Sequence, residues 1–168
     1  MAKKYDLANL NILLVDDNKN MHSIIKYILM AMDIMQFRSC QNADEAFQQM
    51  REQPPDILIT EYKLPGQIDG FEMIRRIRRG EDGPAPYLPI LVLTGHADLP
   101  TVIASRNAGA TEFLAKPVSA GSLYDRIIWM IENPRPFIKA KEYIGPDRRR
   151  AMRGYEGLER RGPKQRVG

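Results

Sequence analysis

The chain has 168 residues, 43% hydrophobic and 27% charged, a balance that suits one compact domain with an appendage and a soluble surface. One cysteine, Cys40, excludes an intrachain disulfide and is compatible with a reducing compartment. The net charge of +4 conceals an asymmetry: residues 1–132 carry 14 Lys/Arg against 17 Asp/Glu, whereas residues 133–168 carry 11 against 4. A mildly acidic body with a basic extension signals an anionic partner. The opening residues lead into no apolar signal region, and no stretch approaches the roughly 18 apolar residues of a membrane span. A cytoplasmic location without membrane insertion is therefore expected.

Along the chain, short apolar runs alternate with longer amphipathic segments. Ile12–Val15 is the first predicted strand, followed by a helix over Lys19–Met32. Gln36–Ser39 and Ala43–Arg51 form the second strand–helix unit, and Asp56–Thr60 with Gly70–Arg79 the third. Pro89–Leu93 precedes the helix Leu99–Asn107, and Thr111–Leu114 precedes Ala120–Glu132. The nearly continuous apolar character of the first, third and fourth strands marks them as buried on both faces. Asn42 and Ser119 are predicted N-caps, and Gly109 stands where a left-handed C-cap is useful. Five such units make a parallel sheet covered by helices on both faces.

Pro134 and Pro136 end that pattern, because proline removes an amide donor and restricts the residue before it. The division expected is a domain over residues 1–132, able to fold alone, and an arginine-rich extension over 133–168. Within the extension, Tyr143-Ile144-Gly145-Pro146-Asp147-Arg148-Arg149 and Tyr155-Glu156-Gly157-Leu158-Glu159-Arg160-Arg161 share the pattern Tyr-x-Gly-x-acid-Arg-Arg. A repeat of that kind is seldom mere solvated filler.

Certain motifs fall at the ends of the predicted strands. Asp16-Asp17 follows the first, Glu61 the third, Leu93-Thr94-Gly95-His96 closes the fourth, and Phe113-Leu114-Ala115-Lys116-Pro117 lies at the fifth. Over about residues 9–132 the combination resembles the receiver domain of two-component response regulators. The resemblance implies a flavodoxin-like (βα)5 fold of strand order 2-1-3-4-5, with its site beyond the strands' carboxyl ends. It also implies that Asp16 and Asp17 help hold Mg²⁺, a hard cation suited to carboxylates. Thr94 becomes the switch hydroxyl, Lys116 the phosphate-pairing cation, and Phe113 the aromatic that rotates on activation.

The acceptor in that family is aspartate, and here the position is Glu61. The extra methylene displaces the carboxylate by roughly one C–C bond, and in-line transfer depends on close positioning. Phosphorylation of Glu61 is therefore not expected. Two readings of its charge stay open: imitation of phospho-aspartate toward Thr94 and Lys116, or simple pairing with Lys116. His22 and His96 read as surface or packing residues, and Arg75, Arg76, Arg78 and Arg79 as a solvated helix face. Cys40 lacks a histidine that would activate it, and no catalytic triad, Walker loop or nucleotide fingerprint is present. The chain is not expected to be an enzyme.

Arginine pairs bidentately with phosphates and stacks on bases. A receiver body with an Arg-rich extension resembles the CheY-like cyclic di-GMP effectors of alphaproteobacteria, in which such a segment binds the dinucleotide and promotes docking to the flagellar motor. That resemblance implies cyclic di-GMP as ligand, held by Tyr143, Asp147, Arg148, Arg149, Arg150, Arg153, Tyr155, Arg160 and Arg161. The alternative is a stand-alone pseudo-receiver that docks onto a protein through its fourth and fifth helices without nucleotide. Nucleic acid is disfavoured by the acidic body and the absence of a helix-turn-helix.

Overall fold

A computed structural model describes residues 5–82, 86–149 and 166–167. Five parallel strands form one sheet: β1 (Asn11–Val15), β2 (Gln36–Cys40), β3 (Ile57–Thr60), β4 (Ile90–Thr94) and β5 (Glu112–Ala115), in the order β2-β1-β3-β4-β5. Between and after them run α1 (Lys19–Met30), α2 (Ala43–Glu52), α3 (Gly70–Arg79), α4 (Leu99–Ala108) and α5 (Ala120–Glu132). This is the flavodoxin-like arrangement expected from the sequence.

The two-residue period of the strands divides the core. Leu13, Val15, Leu58, Ile90 and Val92 point to the face covered by α2, α3 and the end of α4. Ile12, Leu14, Ile57, Ile59, Leu91 and Leu93 point to the face covered by α1 and α5. Each fully buried aliphatic side chain contributes about 1.5–3 kcal/mol relative to exposure, so a slip of one residue in any central strand would invert both layers.

Caps fix where the helices begin. Asn18, Asn42, Asp69, Asp98 and Ser119 each accept a hydrogen bond from a free amide of the first turn, as short polar side chains do at N-caps. Gly109 closes α4 with φ +109°, the left-handed C-cap expected of it. Helix α1 ends at Met30, two residues before its predicted end; Ala31 caps it, and Asp33 turns left-handed at φ 63°.

The extension contains structure that the sequence reading did not foresee. β6 (Phe137–Ala140) and β7 (Tyr143–Pro146) pair antiparallel, and β8 (Arg166–Val167) pairs with the other edge of β6. The hairpin of β6 and β7 is closed by the Asp147 amide, which donates to the Pro136 carbonyl at 2.7 Å. Its β7 strand packs against α3 and α4. There the backbone of Gly145 meets that of Gly109. A Cβ on Gly145 would lie 3.0 Å from the Gly109 Cα, and one on Gly109 would lie 2.9 Å from the Arg78 side chain.

Arg78 corrects the expectation of a solvated arginine face on α3. It is 2% exposed. Its guanidinium donates to the carbonyls of Gly109 at 2.9 Å, Pro86 at 2.6 Å and Leu88 at 2.7 Å, and packs over the Phe137 ring at 4.9 Å. Burial pushes its pKa down to about 9, with Tyr143 acting in the opposite direction, so it remains a cation at neutral pH. Carbonyl dipoles and an aromatic face, rather than a carboxylate, stabilise the charge. Helical phase carries the signal in the sequence: Arg78 follows Ile74 by four residues and Ile77 by one, inside the buried stripe of α3.

The two core clusters lie wholly within residues 1–132, so a fragment ending at Glu132 is expected to unfold cooperatively. Without Phe137 and the Gly109–Gly145 contact its Tm should fall by roughly 5 °C or more relative to the full chain. Arg78→Lys should destabilise the full chain by about 2–3 kcal/mol, since one ammonium cannot reach three separate carbonyls. Both are measured by thermal and denaturant unfolding. An Arg78→Lys protein as stable as the parent would show that the charge, not the fork of donors, holds the junction.

Candidate functional site

The parallel sheet gathers its polar residues at the carboxyl ends of the strands. Asp16 follows β1, Glu61 follows β3, Thr94 ends β4 and Lys116 follows β5. The Glu61 amide donates to the Val15 carbonyl at 2.9 Å and the Lys116 amide to the Thr94 carbonyl at 2.8 Å, so sheet-like bonding continues into the site. Thr60, fully buried, donates its hydroxyl to the Glu61 carbonyl at 2.8 Å. Gly70 opens α3 directly beneath this turn. A Cβ there would stand 2.2 Å from the Glu61 carbonyl oxygen, so only glycine lets the helix approach this closely.

The Lys116 ammonium occupies the centre. It donates to Asp16 Oδ2 at 2.6 Å and to Glu61 Oε2 at 3.2 Å. The remaining carboxylate oxygens are also engaged. Asp16 Oδ1 accepts from the Asn18 amide at 2.9 Å, and Glu61 Oε1 accepts from the amides of Tyr62 at 2.7 Å and Lys63 at 3.3 Å. Asp16 is 1% exposed and Glu61 7%. Burial alone would depress the Lys116 pKa, but the hydrogen bond and charge of Asp16, reinforced by Glu61, hold it above the ordinary lysine value of 10.5. A buried charge is tolerated when it is paired and hydrogen-bonded in this way.

Of the two readings of Glu61, this geometry supports pairing with Lys116. Thr94 is fully buried, and its Oγ1 accepts from the His96 amide at 3.2 Å; no hydrogen bond joins it to Glu61 among the described residues. Phe113 is half-buried against the α2–α3 side of the core. It lines a cavity of about 210 Å³ with Val102, Ser105, Glu112, Arg126 and Arg135. Asp17 is exposed, adjacent to this network but outside it.

Asp16 and Asp17 are the carboxylates of this chain that would hold the Mg²⁺ that receiver domains bind in this cleft. Mg²⁺ seeks a near-octahedral set of oxygens; Asp17 is exposed, and the Asp16 oxygens that accept from Lys116 and Asn18 each retain a second lone pair. Among the described residues no group of three or more His, Cys, Asp or Glu is placed to hold a metal ion. A lysine cation stands between the carboxylates of Asp16 and Glu61.

Around the site, Tyr62 stacks on Phe71 at 4.8 Å and meets His96 edge-on at 5.8 Å. His96 Nε2 accepts from the Lys63 ammonium at 3.1 Å, and His22 Nε2 donates to the Asp16 carbonyl at 2.5 Å. Both histidines therefore pack and position, as expected. Burial and then Glu45 push the Cys40 thiol up to about 12, too high for a thiolate near neutral pH.

The extension residues lie at the opposite end of the sheet. Arg148 stacks its guanidinium 4.4 Å from the Tyr143 ring centroid and donates to Asn107 Oδ1 at 2.5 Å; Arg106 donates to the Arg148 carbonyl at 2.8 Å. Asp147 accepts from the Arg149 amide at 3.0 Å. Arg150, Arg153, Tyr155, Arg160 and Arg161 lie outside the described residues. Among the described residues no helix is long and apolar enough to cross a membrane.

Comparison with known proteins places this architecture. The chain is 29% identical over 122 residues to the chemotaxis protein CheY-3 of Vibrio cholerae, covering 71% of this chain and 89% of that protein. It is 30% identical over 115 residues to the response regulator protein PilR of Pseudomonas aeruginosa, covering 68% of this chain but only 24% of that longer protein. Among solved structures, a putative response regulator from Chloroflexus aurantiacus superposes with a TM-score of 0.66 at 32% identity, covering 74% of this chain and all of that one. The receiver domain of the sensor histidine kinase PA1611 from Pseudomonas aeruginosa, solved with magnesium in its active-site cleft, superposes with a TM-score of 0.61 at 28% identity, covering 71% and 94%. Residues 12–128 match the response regulator receiver domain, and the chain belongs to that family.

Proposed function

We propose that this chain is a phosphorylation-independent, CheY-like receiver that signals by docking onto a protein partner. The observation that carries this reading is the Lys116 ammonium shared by Asp16 and Glu61. In a phosphorylated receiver the lysine pairs with the incoming phosphoryl group; here it is already committed to two carboxylates. Glu61 moreover spends one oxygen on two backbone amides, which turns it away from in-line attack. With Glu61 and Lys116 both engaged, the pocket serves as a fixed strut and the protein's output is contact rather than chemistry. Leu99 and Ile103 on α4 and Trp129 on α5 are 70%, 45% and 49% exposed, and such apolar side chains supply contact area to a partner.

A second reading adds a nucleotide to the same scheme: cyclic di-GMP held by the arginine-rich extension, controlling docking to a partner such as the flagellar motor. The packing of Arg148 over Tyr143 favours it, because this is the arginine–aromatic geometry that also receives a base. Isothermal titration of the full chain with cyclic di-GMP tests it, and Arg149→Lys should weaken binding despite preserving charge. Equal binding of linear oligonucleotides, with a steep loss on added salt, would replace this reading with nonspecific phosphate attraction.

Incubation with acetyl phosphate and Mg²⁺ is expected to leave Glu61 unlabelled by intact mass spectrometry. Glu61→Asp should gain a labile adduct, because the shorter side chain restores the family's acceptor beside Lys116. A stable acyl phosphate on the parent protein at Glu61 would overturn the proposal.

Removing the strut should be felt in stability. Lys116→Met leaves Asp16 and Glu61 facing each other without a cation and should destabilise by about 3 kcal/mol at neutral pH. The folded-state pKa of Lys116 lies above its unfolded value, so its contribution is complete below about 10.5 and is lost as pH rises through the folded value. The stability gap between parent and variant is therefore expected to stay constant from pH 6 to 9 and close only in more alkaline solution.

A further inference from the structure

A groove of about 650 Å³ runs between the carboxyl half of α3, the end of α4 and the β6–β7 hairpin. Its volume falls in the range of small-molecule sites. Arg75, Arg78, Arg79, Lys139 and Lys141 line it, against Glu142 as the one acidic lining residue. Their charges are incompletely matched. Arg75 and Arg79 share the single carboxylate of Glu72 with Arg76, and Arg79 also meets Glu81. Lys139 and Lys141 are exposed and make no ion pair among the described residues. Behind them sits Arg78, a buried cation whose partners are carbonyls, a hydroxyl and an aromatic ring. Its hydrogen bonds are satisfied while its charge has no counter-ion, so it projects a positive potential into the groove through low-dielectric surroundings.

The remaining lining is of a different kind. Ala108, Ala140, Tyr143 and Ile144 give an apolar wall, and Asn107 an amide. We propose that this groove binds a nucleotide carrying two or more phosphates, with Lys139, Lys141, Arg75 and Arg79 on the phosphates and the apolar wall against the base or sugar. Inorganic phosphate or pyrophosphate meets only the first half of that lining, and a neutral nucleoside only the second. The inference is independent of the Glu61 pocket, which lies at the other end of the sheet. It also differs from the reading in which the repeated arginines of residues 148–161 hold a dinucleotide, because its phosphate ligands come from α3 and the β6–β7 hairpin, Tyr143 being common to both.

The test is titration of the full chain with ADP, pyrophosphate and adenosine at fixed ionic strength, read by calorimetry and by the ligand-induced rise in Tm. Saturable ADP binding is expected, tighter than pyrophosphate, with adenosine silent. Lys139→Ala/Lys141→Ala should raise the ADP Kd at least tenfold and abolish the Tm rise. Both lysines are exposed, so the fold should be undisturbed; Lys19→Ala/Lys26→Ala on α1, both exposed, serves as the control of equal charge loss. Three results would each overturn the proposal: absence of saturable ADP binding, equal weakening in Lys19→Ala/Lys26→Ala, or binding of ADP no tighter than pyrophosphate. Cyclic di-GMP titrated beside ADP separates the two sites, since Arg149→Lys should affect it and leave ADP binding unaltered.

Discussion

One ammonium between two carboxylates organises the carboxyl end of this sheet. Lys116 reaches Asp16 across the space that separates β5 from β1, and Glu61 on β3 closes the triangle. Each partner is fixed by backbone bonds of its own, so neither carboxylate can swing toward a ligand without giving up amide donors. A cation that belongs to the chain thus balances both carboxylates. Glu61 reaches the lysine with Oε2 while its Oε1 lies over the amides of Tyr62 and Lys63.

The fold and this site were legible for a common reason. Buried parallel strands must be continuous apolar runs, and functional residues of such a sheet sit just past their ends; Asp16, Glu61, Thr94 and Lys116 announce themselves by position. Helix caps were equally readable, because Asn42, Ser119 and Gly109 act through local backbone geometry. The choice between imitation of phosphate and pairing with lysine was not readable. It depends on which rotamer Glu61 adopts among amides and cations contributed by three loops.

The extension resisted reading for a different reason. Phe137–Ala140 and Tyr143–Pro146 are too short and too mixed in polarity to signal strands, and Pro146 argues against one. They pack as a hairpin against two distant features of the body: the bare backbone of Gly109 and the buried guanidinium of Arg78. Arg78 was itself misread because a charged residue in a run of arginines looks solvated. Its burial follows from helical phase beside Ile74 and Ile77, a cue that charge composition obscures.

Arg78 binds the loop carbonyls before β4 and β5, while Thr94 and Lys116 lie at the far ends of those same strands. At about 3.3 Å per residue, a five-residue strand separates the two networks by some 16 Å. They share no side chain and no hydrogen-bond partner among the described residues. Energetically they are then two independent accounts on one rigid spacer: changes at Glu61 and changes at Arg78 should sum without interaction. Evolution can thus rewrite the chemistry at one pole of the domain while the surface at the other pole is kept, or the reverse, with neither alteration constraining the next.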